Sequence, residues 1–189
     1  MKTFRRQPVS VNTGSMADIA FLLLIFFLVS TTISAEKGIL RQLPPYCEDP
    51  KTCELDIKDR NLLEISLNYK DEILISNSSV KLNDVPKIVK SFIDNNGLSQ
   101  CDYCQGKQFP KYSEHPKKAV IFLNFDSLTS YKAYIEVQDQ IAKAYNAIRQ
   151  AYAINRFNKS LGQLDKAEMQ VITQNYPIRV YEVNPNTSQ

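Results

Sequence analysis

Met16–Ile33 reads MADIAFLLLIFFLVSTTI, an apolar run broken by one charge, Asp18, close to its start. A helix of this length rises about 27 Å at ~1.5 Å per residue, close to the ~30 Å hydrocarbon core of a bilayer. Thr13–Ser15 and Ser34–Ala35 extend it into the two interfaces, so residues 13–35 are predicted to form a transmembrane helix. Before the run stand Lys2, Arg5 and Arg6 with no acidic residue; after it come Glu36, Lys37 and Arg41. That bias places a tail of residues 1–12 in the cytoplasm and everything after the helix outside the inner membrane. A cleaved signal peptide shares the basic start and apolar core. Its core usually runs to about 7–15 residues, whereas this one is longer, opens on an acid, and offers only Ile33-Ser34-Ala35 as a passable cleavage site.

Composition narrows the rest. The chain has 189 residues and a formal net charge of +3, and its mean hydropathy of −0.30 excludes a polytopic membrane protein. That leaves material for one anchor and one domain of ordinary size. Near-neutral charge gives no basic stripe for nucleic acid. One histidine offers little to a metal site, and five glycines leave no dinucleotide or phosphate loop. Neither a metal nor a cofactor is expected.

Asp18 carries the most information. A carboxylate deep in a bilayer costs about 2.5–3.5 kcal/mol on insertion scales, so it faces protein or water rather than lipid. Its helical neighbours at −4 and −3, Gly14 and Ser15, are small enough for a second helix or a file of water to come close. Leu22, Ile25 and Val29 continue the same face, which turns polar again at Thr32. Two readings follow. Asp18 is either an interfacial aspartate stabilised by the helix dipole, worth ~0.3–1 kcal/mol, or a carrier whose desolvated carboxyl loads and unloads a proton.

Residues 36–61 read as a linker containing an extended segment, and 62–189 as a folded domain. Alternating or apolar runs at Leu62–Asn68, Glu72–Ser76, Lys118–Phe125 and Ile178–Val183 predict strands. Asp84-Val85-Pro86 opens a helix with Val85, Ile88, Val89, Phe92 and Ile93 on its apolar face, and Asn95-Asn96-Gly97 ends it. A longer helix follows Thr129-Ser130, with Tyr134, Ile135, Ile141, Tyr145, Ile148 and Tyr152 at helical spacing; the tyrosines read as packing. Leu164–Thr173 reads as a short helix. The sum is an α+β fold, small helices on a mixed sheet, after one N-terminal membrane helix. All four cysteines, Cys47, Cys53, Cys101 and Cys104, fall outside the membrane, where an oxidising compartment favours disulfides. Zinc is the rival because Cys101-x-x-Cys104 has ligand spacing. A redox dithiol lacks the βαβ context. His115 reads as a loop residue.

Asn12-Thr13, Met16-Ala17-Asp18-Ile19 and the run that follows resemble the ExbD/TolR family of biopolymer-transport proteins, whose single membrane helix opens on an Asn-Thr-Pro-Leu-Val-Asp-like block. The resemblance continues through Leu40–Pro44, an extended segment ending in Leu-Pro. It includes Ile65–Asn68 and Ile73–Ser76 with Val80, a strand-turn-strand about Asn68–Asp71, and Ala119–Asp126, a strand ending in Asp before a long helix. Gly14-Ser15 replaces the family's Pro, Leu98–Pro116 is an insertion, and Asn175–Pro185 resembles versions of the family associated with the Bacteroidetes. The resemblance implies a homodimer within a ring of a polytopic ExbB/TolQ-like partner, with protons crossing at Asp18. The resulting motion would drive a TonB-like protein, with no enzymatic step. The alternative is a single-pass anchored periplasmic scaffold or binding domain in which Asp18 merely caps its helix.

Overall fold

The structure, a computed structural model, describes residues 13–30 and 57–183. The tail 1–12, Thr32, Cys47, Cys53 and the linker stretch Gly38–Leu43 lie outside the described residues. Two units are present, each taken by itself: one up to Leu40 and one from Arg41 onward.

In the first unit, Thr13–Ser30 forms α1, with Asp18 its one charged residue and every position exposed. It is long and apolar enough to cross a membrane, with a mean hydropathy of 2.0 over 18 residues.

The second unit is built on a five-stranded mixed sheet in the order β3-β2-β1-β4-β5. β1 (Leu62–Leu67) pairs in parallel with β4 (Val120–Phe125), from Leu62 opposite Val120 to Leu67 opposite Phe125. β5 (Val180–Val183) continues the parallel half beside β4. β2 (Ile73–Ile75) and β3 (Ser78–Val80) form an antiparallel arm on the other side of β1. Parallel neighbours need a long crossover, and helices supply it here. α2 (Val85–Ile93) lies between β3 and β4; α3 (Tyr131–Phe157) and α4 (Lys166–Asn175) lie between β4 and β5.

Local chemistry fixes these limits. The Asn68 side-chain oxygen accepts from the N–H groups of Lys70 and Glu72, both at 2.9 Å, closing the β1–β2 turn. Ile75 faces Ser78 across a two-residue turn in which Ser76 and Asn77 both take positive φ, 48° and 64°. That is the mirror-image turn whose twist suits an antiparallel pair. Ser130 caps α3 by accepting from Ala133 N, and Asn158, at φ 55°, ends it by donating its N–H to Ile154 O. Asp165 and Glu168 each accept the other's backbone N–H through a side-chain oxygen in a capping box at the start of α4.

Period two puts Leu63, Ile65, Leu67, Ile121 and Leu123 on one sheet face, with Glu64 turned to the other. Val85, Val89, Phe92 and Ile93 of α2 and Val137, Ile141, Tyr145 and Ile148 of α3 meet that face in a single core. The expected α+β architecture is what the structure shows. Some details shift. The arm holds a second short strand, β3, where sequence alone indicated only one. α4 starts two residues later than the reading because Asp165 is its cap. Ile135, assigned to the apolar face of α3, is 37% exposed, while Val137 and Gln138 turn inward.

Candidate functional site

Asp18 is the sixth residue of α1, so it lies a full turn beyond the first N–H groups that a capping side chain serves. About 1.5 Å of rise per residue puts it ~7–8 Å along the helix from Thr13. Gly14 and Ser15, one turn back, share its face. α1 therefore carries one ionisable group in an apolar helix, flanked on the N-terminal side by the two smallest residues of that face.

In the folded domain, polar order gathers where α2 ends. The insertion recognised in the sequence folds back over this end as a strap. Asn95, fully buried, donates through its amide to Phe109 O (2.9 Å) and Ser113 O (3.1 Å) and accepts from Phe109 N (2.7 Å). Asn96 brackets Cys101, donating to its carbonyl at 2.9 Å and accepting its N–H at 3.0 Å. Ser113 Oγ donates to Phe92 O at 2.6 Å. A Cβ at Gly106 would run into the backbone of Asp94 and Asn95, so the strap lies directly on the helix end.

Cys101 and Cys104, expected in a disulfide or a zinc site, are joined to each other with their Cα atoms 5.5 Å apart. Tyr103, between them, packs edge-on against Tyr152 and Tyr176, with centroids 5.4 Å away in both cases. It also meets His115 at 5.8 Å. Beneath this cluster the Tyr176 hydroxyl donates to Asp94 Oδ1 at 2.8 Å, and Gln105 N–H donates to Oδ2 at 3.2 Å. Burial raises the Asp94 carboxyl above the ordinary carboxylate value, against the pull of both donors and Lys90. Burial likewise pushes the Tyr103 phenol up to about 12. Among the described residues, no three His, Cys, Asp or Glu side chains gather into a group able to hold a metal.

A second ionic cluster fixes the chain where it joins the domain. Lys58, Arg60 and Asn61, assigned by sequence to the linker, already touch the strap. Lys58 and Lys118 each reach one oxygen of Glu114, at 3.1 and 3.0 Å, and the Glu114 side chain is only 3% exposed. Asn61 accepts from Glu114 N at 2.8 Å, and Arg60 donates to Tyr112 O. Lys118, then Lys58, holds the Glu114 carboxyl down at about 2, against the effect of burial. The sign follows from linkage. A folded-state value below the unfolded one near 4.5 contributes stability above about pH 5 and loses it as pH falls toward about 2. Asp94, raised instead, contributes in the opposite direction, so a single variant is needed to separate them. Glu114→Gln should flatten the decline of domain stability between about pH 5 and 2. Acid titrations followed by near-ultraviolet circular dichroism, run beside wild type, would measure it; parallel curves would refute the assignment.

Sequence reasoning singled out Asp18 because a lone charge in an apolar run is visible by inspection. It did not find Asp94, Asn95 or Glu114, whose partners lie up to 82 residues away. The only signals were Asn95-Asn96 read as a helix stop and a polar insertion of unassigned role.

One apolar helix, long enough to cross a membrane and carrying a single carboxylate, thus precedes an α+β domain on a mixed sheet. The family profile described as biopolymer transport protein ExbD/TolR matches residues 5–152, and the chain belongs to that family. The matched region runs from the tail before α1 into the last third of α3. Comparison with curated proteins gave no match.

Proposed function

We propose that this chain is the proton-carrying subunit of an inner-membrane energy transducer. Its N-terminus is cytoplasmic and its α+β domain periplasmic. Two copies sit within a ring of a polytopic ExbB/TolQ-like partner, and the proton motive force is passed on through a TonB-like protein to outer-membrane transport. The observation that supports this reading is Asp18, the single charge of α1, set past the helix's first turn beside Gly14 and Ser15. An ionisable residue in that position needs protein or water around it, which a ring of partner helices supplies. One proton crossing the membrane is worth ~2.3 kcal/mol per 100 mV, enough to bias a conformational step between packed elements. The domain then needs to bear and transmit movement rather than perform chemistry.

The test is purification of the full chain from membranes in mild detergent, beside growth of a strain lacking it. The expected results are co-purification of a polytopic partner with more than one copy of this chain, and loss of uptake that depends on outer-membrane receptors. Unchanged receptor-dependent uptake in the deletion strain would overturn the reading.

A further inference from the structure

The Cys101–Cys104 disulfide closes a loop of sequence separation 3. So short a loop removes little entropy from the unfolded chain, which puts its global contribution at the low end for disulfides. The strap is also held without it, by the Asn95 and Asn96 side chains and by Ser113. Of the two residues the disulfide encloses, Asp102 and Tyr103, it tethers Tyr103 where that ring packs against Tyr152, Tyr176 and His115 and donates its hydroxyl to Asn175 O at 3.3 Å. Tyr103 is at the same time a wall of a cleft of about 620 Å³, shared with Cys104, Gln105, Tyr152, Arg156 and Asn175. The two sulfurs differ in access: Cys101 is 5% exposed, whereas Cys104 is half-buried and lines the cleft.

We propose that Cys101–Cys104 is an exchangeable latch, opened by a dithiol protein through Cys104, that releases Tyr103 and uncovers the Asp94–Tyr176 pair. A thiolate of the dithiol enters from the cleft and forms a bond to Cys104 Sγ as the Cys101–Cys104 bond breaks. Cys101 leaves as a thiolate and takes up a proton. The second thiol of the donor then attacks the mixed disulfide, and Cys104 departs and is protonated in turn. The donor is oxidised to its own disulfide, two electrons pass to Cys101 and Cys104, and the two protons balance. Freed of its tether, Tyr103 loses its packing on Tyr176, the residue that donates to Asp94, while the core of β1, β4, α2 and α3 stays as it is. The latch does not depend on the role of Asp18.

The full chain in detergent, treated with graded dithiothreitol under native conditions and trapped with N-ethylmaleimide, tests it. Peptide mass spectrometry reads Cys101 and Cys104 apart from Cys47 and Cys53, and hydrogen exchange reports on the backbone. Both sulfurs should label together while β1 and β4 stay protected, with exchange over residues 101–105 rising about tenfold or more, as local opening requires. With glutathione in place of the dithiol, the mixed disulfide should form on Cys104. Labelling only after β1 and β4 lose protection, or labelling with no change over 101–105, would overturn the proposal. The double variant Cys101→Ser/Cys104→Ser should show the same opening without reductant. Failure of that variant to fold would make the disulfide a structural staple and end the latch reading.

Discussion

Asp18→Asn is expected to reduce proton-driven uptake to the level of a strain lacking the chain, while leaving the protein in the membrane and in its complex. The substitution keeps size and hydrogen-bonding capacity and removes only the titratable proton. Insertion should improve, because the cost of an aspartate in the membrane, at most ~2.5–3.5 kcal/mol on insertion scales, falls when the group cannot ionise. Co-purification with the ring partner should match wild type or exceed it, since a desolvated carboxylate has become neutral. An amide cannot cycle between charged and neutral forms, so the transport step has no carrier. Asp18→Glu should be partly active: one methylene displaces the carboxyl by ~1.5 Å, and in a confined path small misplacements are costly. The anchored-scaffold reading predicts near-normal uptake for the Asn variant, because nothing there requires a proton. Measuring receptor-dependent growth and the composition of the purified complex in one set of strains separates the two. Normal uptake with Asn at position 18 would remove the carrier role.

The elements that could be read from sequence were those in which one periodic pattern decided the outcome. α1 was legible because eighteen residues held one charge, and β1 because Leu63, Ile65 and Leu67 alternate with polar neighbours. α2 was legible from Val85, Val89, Phe92 and Ile93 at helical spacing. β3 was not. It has three residues, two of them serine, and exists through the Ser76–Asn77 turn that pairs it with β2. Ile135 misled because an isoleucine near the start of α3 fits the apolar pattern, while the inward positions there are taken by Ala133, Tyr134 and Val137. Asp18 was singled out by its chemistry; Thr32, placed on the same face, lies outside the described residues, and so do Cys47 and Cys53. The strap was least legible. Its order comes from amide side chains bonding to backbone at a distance, and in sequence these residues look like any solvated loop.

The largest stability effect is expected at Asn95, which that loop-like reading passed over. Asn95→Ala removes the donor to Phe109 O and Ser113 O and the acceptor of Phe109 N. Ser113 O keeps a second partner in Gly97 N and Phe109 O keeps one in Tyr112 N, so the Phe109 N–H alone is left without one. At ~1–3 kcal/mol for the stranded N–H, and about 0.5 kcal/mol for each hydrogen bond lost from a carbonyl that keeps another partner, the loss should reach about 2–4 kcal/mol. For a chain of this size that lowers Tm by about 5–15 °C. The strap should detach from the end of α2 first, because Gly106 and Gln108 are held against the same two residues, Asp94 and Asn95. Asn95→Asp separates hydrogen bonding from volume. It keeps an acceptor for Phe109 N but turns a carboxylate toward two carbonyl oxygens, so near pH 7 it should be at least as damaging as alanine. Protonation restores a donor, and its deficit relative to wild type at the same pH should shrink as pH falls toward about 4. Thermal melts of the full chain at pH 7 and pH 4, with hydrogen exchange over residues 94–116, read both effects. If Asn95→Ala melts within a degree or two of wild type, the strap is a surface ornament, and the ordering assigned to its amide network is wrong.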